Sequence, residues 1–259
     1  TQEFINSLAG SFLSILFLFT ILVLLITPIF IFIFAPGFYY DDSKRIIAID
    51  LLRIMFPYLA LISLVSFASG IQNTHEKFSI PAFTPLIFNI TLIVAAIFIA
   101  PRINLPVYAL AWGVLIAGFL QLLIHIYALK NINRLPTPKI NFSHPGQINV
   151  LKLMIPAILA GGIVQINLLI DTIFASLLQT GSPTWLYVSD RLIQFPMGIF
   201  AIAIGTILLP TLSKIDIATN KKLFIDELQK GQRFVLLIGI PSLIGLYLCS
   251  IDLIGTIFF

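Results

Sequence analysis

Residues 184–210 read TWLYVSDRLIQFPMGIFAIAIGTILLP, a stretch long and apolar enough to cross a bilayer that carries Arg191 about a quarter of the way in. An arginine at the centre of a membrane helix costs about 3 kcal/mol on insertion scales. One inside the apolar zone therefore faces a partner, a bundle interior or a watery cavity rather than lipid.

The rest of the chain has the same character. Hydrophobic residues make up 59% of the 259 residues and charged residues 10%, against about 25% charged in soluble domains. The composition predicts an all-α polytopic membrane protein. The lone Cys249 excludes an internal disulfide framework, and three scattered histidines leave no zinc-ligand spacing. Nothing reads as a nucleophile with its base, a phosphate loop or a paired-carboxylate site, so an enzyme is not expected.

Seven stretches are long enough to span: 8–34, 47–72, 80–101, 107–129, 150–178, 184–212 and 234–259. Between them lie short breaks rich in turn formers, PGFYYDDSK, QNTHEK, PRINLP and QTGSP. Two connections are longer. The first, 131–149, is broken by Pro136, Pro138 and Pro145 and reads as a linker between bundles. The second, 213–233, alternates Leu223, Ile225 and Leu228 with Lys221, Lys222, Asp226 and Glu227, and predicts a short amphipathic helix on the membrane surface.

Basic residues set the orientation. Lys77, Lys130, Arg134, Lys139, Lys152, Lys214, Lys221, Lys222, Lys230 and Arg233 fall on one side, and only Lys44, Arg45 and Arg102 on the other. This bias predicts a cytoplasmic N-terminus and an extracytoplasmic C-terminus. The net charge of +4 then needs no nucleic-acid partner, since topology and contact with anionic headgroups account for it. An odd span count and a first residue other than Met suggest a fragment of a longer protein.

The polar residues within spans are few. Arg191 shares a helical face with Tyr187, Gln194, Gly198 and Gly205, a stripe that fits either a cavity wall or close helix packing. Asp171 and Arg191 each lie eight residues from the turn 179–183, about 12 Å of helix rise. They predict either a structural ion pair or a solvated site that handles an ion or ligand. Asn167, one turn before Asp171, would complete a coupling site for Na⁺ or H⁺, or else form an interhelical hydrogen bond. Asp50 and Arg53, three residues apart, read by default as an intrahelical pair, with a gate or substrate contact as the alternative for Arg53. Gln121 and His125 read as interfacial, His75 and Glu76 as an exposed turn. Prolines within or at the ends of spans, with Gly161 and Gly162, suggest broken helices of the kind that line water in transporters.

Three segments carry a family resemblance: FPYLALISLVSFASGIQNTHEKFSIPAFTPLIFNI (56–90), ALAWGVLIAGFLQLL (109–123) and PAILAGGIVQINLLIDTIFASLLQTGSPTWLYVSDRLIQFPMGIFAIAIGTILLPTLSK (156–214). They resemble the MurJ (MviN) lipid II flippases, of the superfamily that also holds multidrug exporters and polysaccharide flippases. The resemblance implies a two-lobe, fourteen-helix transporter fold, of which this chain would hold the third to ninth helices. Residues 1–130 would be the latter part of the N-terminal lobe, 131–149 the cytoplasmic linker and 150–259 the first part of the C-terminal lobe. It further implies a cationic cavity that moves lipid II from the inner to the outer leaflet of the bacterial cytoplasmic membrane by alternating access.

On this resemblance Arg191, within SDRLIQFP, falls on a cavity arginine expected to bind the pyrophosphate, with Gln194, Tyr187 and Arg53 as further substrate-binding candidates. Asp171, with Asn167, falls where a coupling cation such as Na⁺ could sit. No other cofactor is implied. The expected partners are lipid II and membrane lipids around a monomer, with cell-wall synthesis proteins as further candidates. The family's first two helices and its later, groove-forming helices have no counterpart in these residues. Two other readings stay open: a related polysaccharide-lipid or multidrug exporter, which in the multidrug case would favour acidic cavity residues, and a non-transporting scaffold, in which Arg191 and Asp171 would pair.

Overall fold

Prolines write the first level of the architecture. In the computed structural model, which describes residues 2–141, 145–213, 215 and 217–257, every regular element is helical. Pro36, Pro57, Pro106 and Pro145 each open a helix, where the missing N–H has no partner to lose. The elements in order are α1 (Gln2–Leu25), α2 (Thr27–Phe34), α3 (Pro36–Tyr39), α4 (Asp42–Met55), α5 (Pro57–Thr74), α6 (Ser79–Val94), α7 (Pro106–Asn131) and α8 (Pro145–Leu177). Then follow α9 (Ser182–Pro196), α10 (Ile202–Ser213), α11 (Ile217–Leu248) and α12 (Ser250–Ile257). Two π-helical turns interrupt the series, Ala95–Ile99 after α6 and Met197–Ala201 between α9 and α10.

Six helices are long and apolar enough to cross a membrane: Gln2–Leu25, Asp42–Thr74, Ser79–Arg102, Pro106–Asn131, Gly146–Leu177 and Asn220–Leu248. The sequence reading expects seven. The difference is the stretch around Arg191, which forms α9, a π turn and α10. The expected surface helix at 213–233 also differs. After a non-helical Asn220, residues 221–233 run straight on into the apolar part of α11. Residues 142–144, 214 and 216 of the two longer connections lie outside the described residues.

The chain divides into two compact units, Thr1–Leu178 and Gln179–Phe259. In the first, α7 is the hub, packing on α4, α5 and α6. Its buried face runs Ala109, Gly113, Ala117, Gln121, His125 and Leu129, every fourth residue. Small residues there let backbones approach, as membrane helices require when lipid tails remove the usual hydrophobic drive. A Cβ on Gly118 would fall 2.7 Å from Tyr58 Cδ2. Large apolar side chains point the other way; Phe17 and Leu18 are 64% and 67% exposed. That exterior suits a bilayer, since each helix satisfies its own backbone.

The linker is a strap. Lys139 N donates to Asn6 O at 3.0 Å and Thr137 N to Asn6 Oδ1 at 2.9 Å. Buried Ser7 and Ser11 donate to Asn141 O at 3.0 and 3.2 Å. Gln147, on the first turn of α8, donates to Ser7 Oγ and to Asn141 O, each at 2.9 Å. Gly10 is where the strap presses on α1: a Cβ there would collide with the backbone of Lys139. Gly10→Val should therefore cost about 1–3 kcal/mol by overpacking. The check is a lower detergent melting temperature with faster trypsin cleavage within 134–141; unchanged cleavage would rule the clamp out.

Asp41 caps α4, accepting from Ser43 N at 3.1 Å and Lys44 N at 3.2 Å, with Lys44 Nζ 3.1 Å from Oδ2. The Lys44 backbone donor, and then its ammonium, hold the carboxyl below the ordinary carboxylate range. A depressed folded-state value contributes stability above the unfolded value, near about 4, and loses it as pH falls through the lower one. Melting curves of Asp41→Ala should thus lie below wild type at pH 7 and merge with it in acid. Asp41→Asn should keep the cap and show less of this acid dependence.

Candidate functional site

Gly181, at φ +105°, ends the turn before α9, and Pro183 fixes the first turn of that helix. From this start, positions 187, 191 and 194 share a face, and the structure joins them. The guanidinium carbon of Arg191 lies 4.9 Å from the Tyr187 ring centroid, within cation–π range. Arg191 Nη1 donates to Gln194 Oε1 at 3.3 Å. All three side chains are exposed. No carboxylate among the described residues of its own unit lies within ion-pair distance of Arg191.

The chemical content of this cluster is simple. A guanidinium carries five N–H donors and a permanent charge. One donor is held by Gln194, the cation is steadied over Tyr187, and the remaining donors are available to an anion. Two-pronged binding of phosphate oxygens is what such a fork does best.

The lower part of the stripe behaves differently. A π-helical turn shifts the register after Met197 by roughly a quarter turn, so Gly205 leaves the face of Arg191. Among the described residues nothing lies within 4 Å of a Cβ built on Gly198 or Gly205. Close packing is therefore not what these glycines serve within their unit.

Asn167 and Asp171 lie one turn apart on α8, both exposed, and neither is hydrogen-bonded or ion-paired among the described residues. Arg53 is exposed near the end of α4. The expected Asp50–Arg53 pair does not form. Asp50 Oδ2 instead accepts from Tyr108 Oη at 3.1 Å. The reason is the packing of α4 on α7, which brings a phenol donor to the carboxylate and leaves Arg53 with no ion-pair partner among the described residues.

Gln121 and His125 are also corrected: they are 1% and 0% exposed. His125 Nδ1 lies 2.8 Å from Gln72 Nε2, and Nε2 lies 2.8 Å from Thr84 Oγ1. Thr84 Oγ1 donates to Ile80 O at 3.0 Å, and Gln121 Nε2 to Thr84 O at 2.9 Å. Donors run in one direction, from the Gln72 amide to a neutral imidazole and on through the threonine hydroxyl. One histidine thus ties the end of α5 and the start of α6 to α7. The signal was present in the sequence, because these two residues continue the i+4 run of Ala109, Gly113 and Ala117.

Helices with apolar exteriors, a polar hub between them and an exposed arginine on a segmented helix define a polytopic membrane protein. Comparison with known proteins makes this specific. The family described as Lipid II flippase MurJ matches residues 1–259. The Lipid II flippase MurJ of Burkholderia cenocepacia is 39% identical over 232 residues, 88% of this chain and 45% of that protein. The Probable lipid II flippase MurJ of Haemophilus influenzae is 37% identical over 271 residues, 100% of this chain and 53% of that protein. A solved structure, Lipid II flippase MurJ in an inward closed conformation, superposes with a TM-score of 0.77 at 28% identity, over 96% of this chain and 50% of its own. The chain belongs to the MurJ lipid II flippase family, and spans about half the length of the curated relatives it matches.

Proposed function

We propose that this chain is part of a flippase that carries lipid II across the bacterial cytoplasmic membrane, and that Arg191 binds the pyrophosphate of the substrate. The observation that carries the reading is the Tyr187–Arg191–Gln194 cluster: a stacked, oriented and uncompensated cation at span depth, on a helix interrupted by a π turn. Such a cation in an apolar setting is expensive unless a ligand or water repays it.

In this reading α9, the π turn and α10 together form one further span, sixth of seven in chain order, and the fourteen-helix fold is completed by segments outside these residues. Residues 1–130 belong to the N-terminal lobe, 131–149 to the linker and 150–259 to the C-terminal lobe. The basic-residue bias supports a cytoplasmic N-terminus and an extracytoplasmic C-terminus. Asp171 and Asn167 offer oxygen ligands one turn apart for a coupling Na⁺ or for a proton. Arg53 supplies a second substrate-facing cation. The working unit is a monomer, and cell-wall synthesis proteins are its candidate neighbours.

The test is restoration of growth in a strain depleted of its own lipid II flippase, scored together with lipid II reaching the outer leaflet. Growth without outer-leaflet lipid II would overturn the assignment.

A further inference from the structure

The first unit holds a second polar site, remote in sequence from Arg191. A pocket of ≈ 320 Å³ opens between α5, α6 and α7, and Ser66, Thr84, Asn89 and Gln121 contribute to its wall together with Pro81 and Pro85. Its depth follows from the helix ends. Ser66 lies eight residues before Thr74, Asn89 ten after Ser79 and Gln121 ten before Asn131. At 1.5 Å per residue all three sit about 12–15 Å from the same end of the bundle.

The wall of this pocket includes one buried acceptor that no donor satisfies. Gln121 Oε1 is buried and is the only such side-chain atom among the described residues without a hydrogen-bond partner. Its identity as oxygen is fixed by the other half of the amide, since Nε2 donates to Thr84 O and a flipped amide would set oxygen against oxygen. Pro85 removes the N–H that would serve the carbonyl of Pro81 in a regular helix. A buried carbonyl without a donor is costly, and a bilayer supplies none. No charged side chain lines the pocket, which leaves no counter-charge for an anion or a divalent ion.

We propose that this pocket is a binding site for a small electropositive ligand, water or a bare monovalent cation, anchored on Gln121 Oε1. Both sources share one chemistry, the supply of positive charge or a hydrogen to a carbonyl oxygen. The volume admits several waters at about 30 Å³ each in the liquid.

The experiment is hydroxyl-radical labelling of the protein in lipid nanodiscs, reading Phe88 in the pocket wall against the lipid-exposed Phe98. With water as occupant, Phe88 should label at least fivefold faster than Phe98 in either sodium or choline chloride, and Gln121→Leu should remove the excess. With a cation, sodium alone should suppress labelling in wild type and not in Gln121→Leu. Should Gln121→Leu fail to fold, Ser66→Leu narrows the pocket from an exposed position and should remove the excess as well. Labelling of Phe88 at the Phe98 rate in both salts would overturn the proposal, as would an excess that survives both substitutions.

Discussion

Arg191→Ala is expected to abolish growth in a strain that depends on this protein as its lipid II flippase, at membrane levels equal to wild type. The alanine form loses the fork that the Tyr187 ring and Gln194 hold in place. Charge-assisted hydrogen bonds contribute about 1.5–3 kcal/mol each. Loss of two would weaken substrate binding by about 3–6 kcal/mol, or roughly two to four orders of magnitude at 1.4 kcal/mol per decade. Arg191→Lys keeps the charge without the bidentate geometry and should fall between. Gln194→Leu should cost less, since it frees the guanidinium without removing it. Normal growth with alanine would demote Arg191 to a packing residue and remove the main support for pyrophosphate binding.

The second large effect is expected at His125, and it should appear as stability rather than transport. His125→Leu leaves the Gln72 amide without its acceptor and removes the donor to Thr84 at a fully buried position. Two broken buried hydrogen bonds put the loss at about 2–4 kcal/mol. The readout is the melting temperature in detergent. Replacing Gln72 and His125 together by leucine should recover part of the loss, because an apolar pair leaves no orphaned amide. If the single and double variants melt alike, the Gln72–His125 bond contributes nothing of its own.

What the sequence disclosed and what it hid divide along physical lines. Spans were legible because length and hydropathy are local properties. The Tyr187–Arg191–Gln194 face was legible because i, i+4, i+7 spacing is local too, and the structure brings those three side chains together. Errors arose wherever a partner came from a distant helix. Asp50 met Tyr108 rather than Arg53, a contact across 58 positions. His125 met Gln72 and Thr84, across 53 and 41 positions. Its burial could be read only by treating Gln121 and His125 as the continuation of a small-residue face. The π turn after Pro196 gave no signal beyond the proline, yet it decides which residues share the face of Arg191.

The strap has a consequence for how this protein can change over generations. Almost every bond that holds it uses strap backbone: the carbonyls of Leu135 and Asn141 and the N–H groups of Thr137 and Lys139. Pro136 and Pro138 occupy the alternate positions, where no donor is needed. Side-chain identity along 135–140 is therefore open to drift, whereas register is not. A proline at 137 or 139 deletes a bond, and a single inserted residue between 137 and 141 moves a proline or a misplaced carbonyl onto α1. Homologous strands of descent should accordingly preserve the spacing of this segment long after its letters have been exchanged.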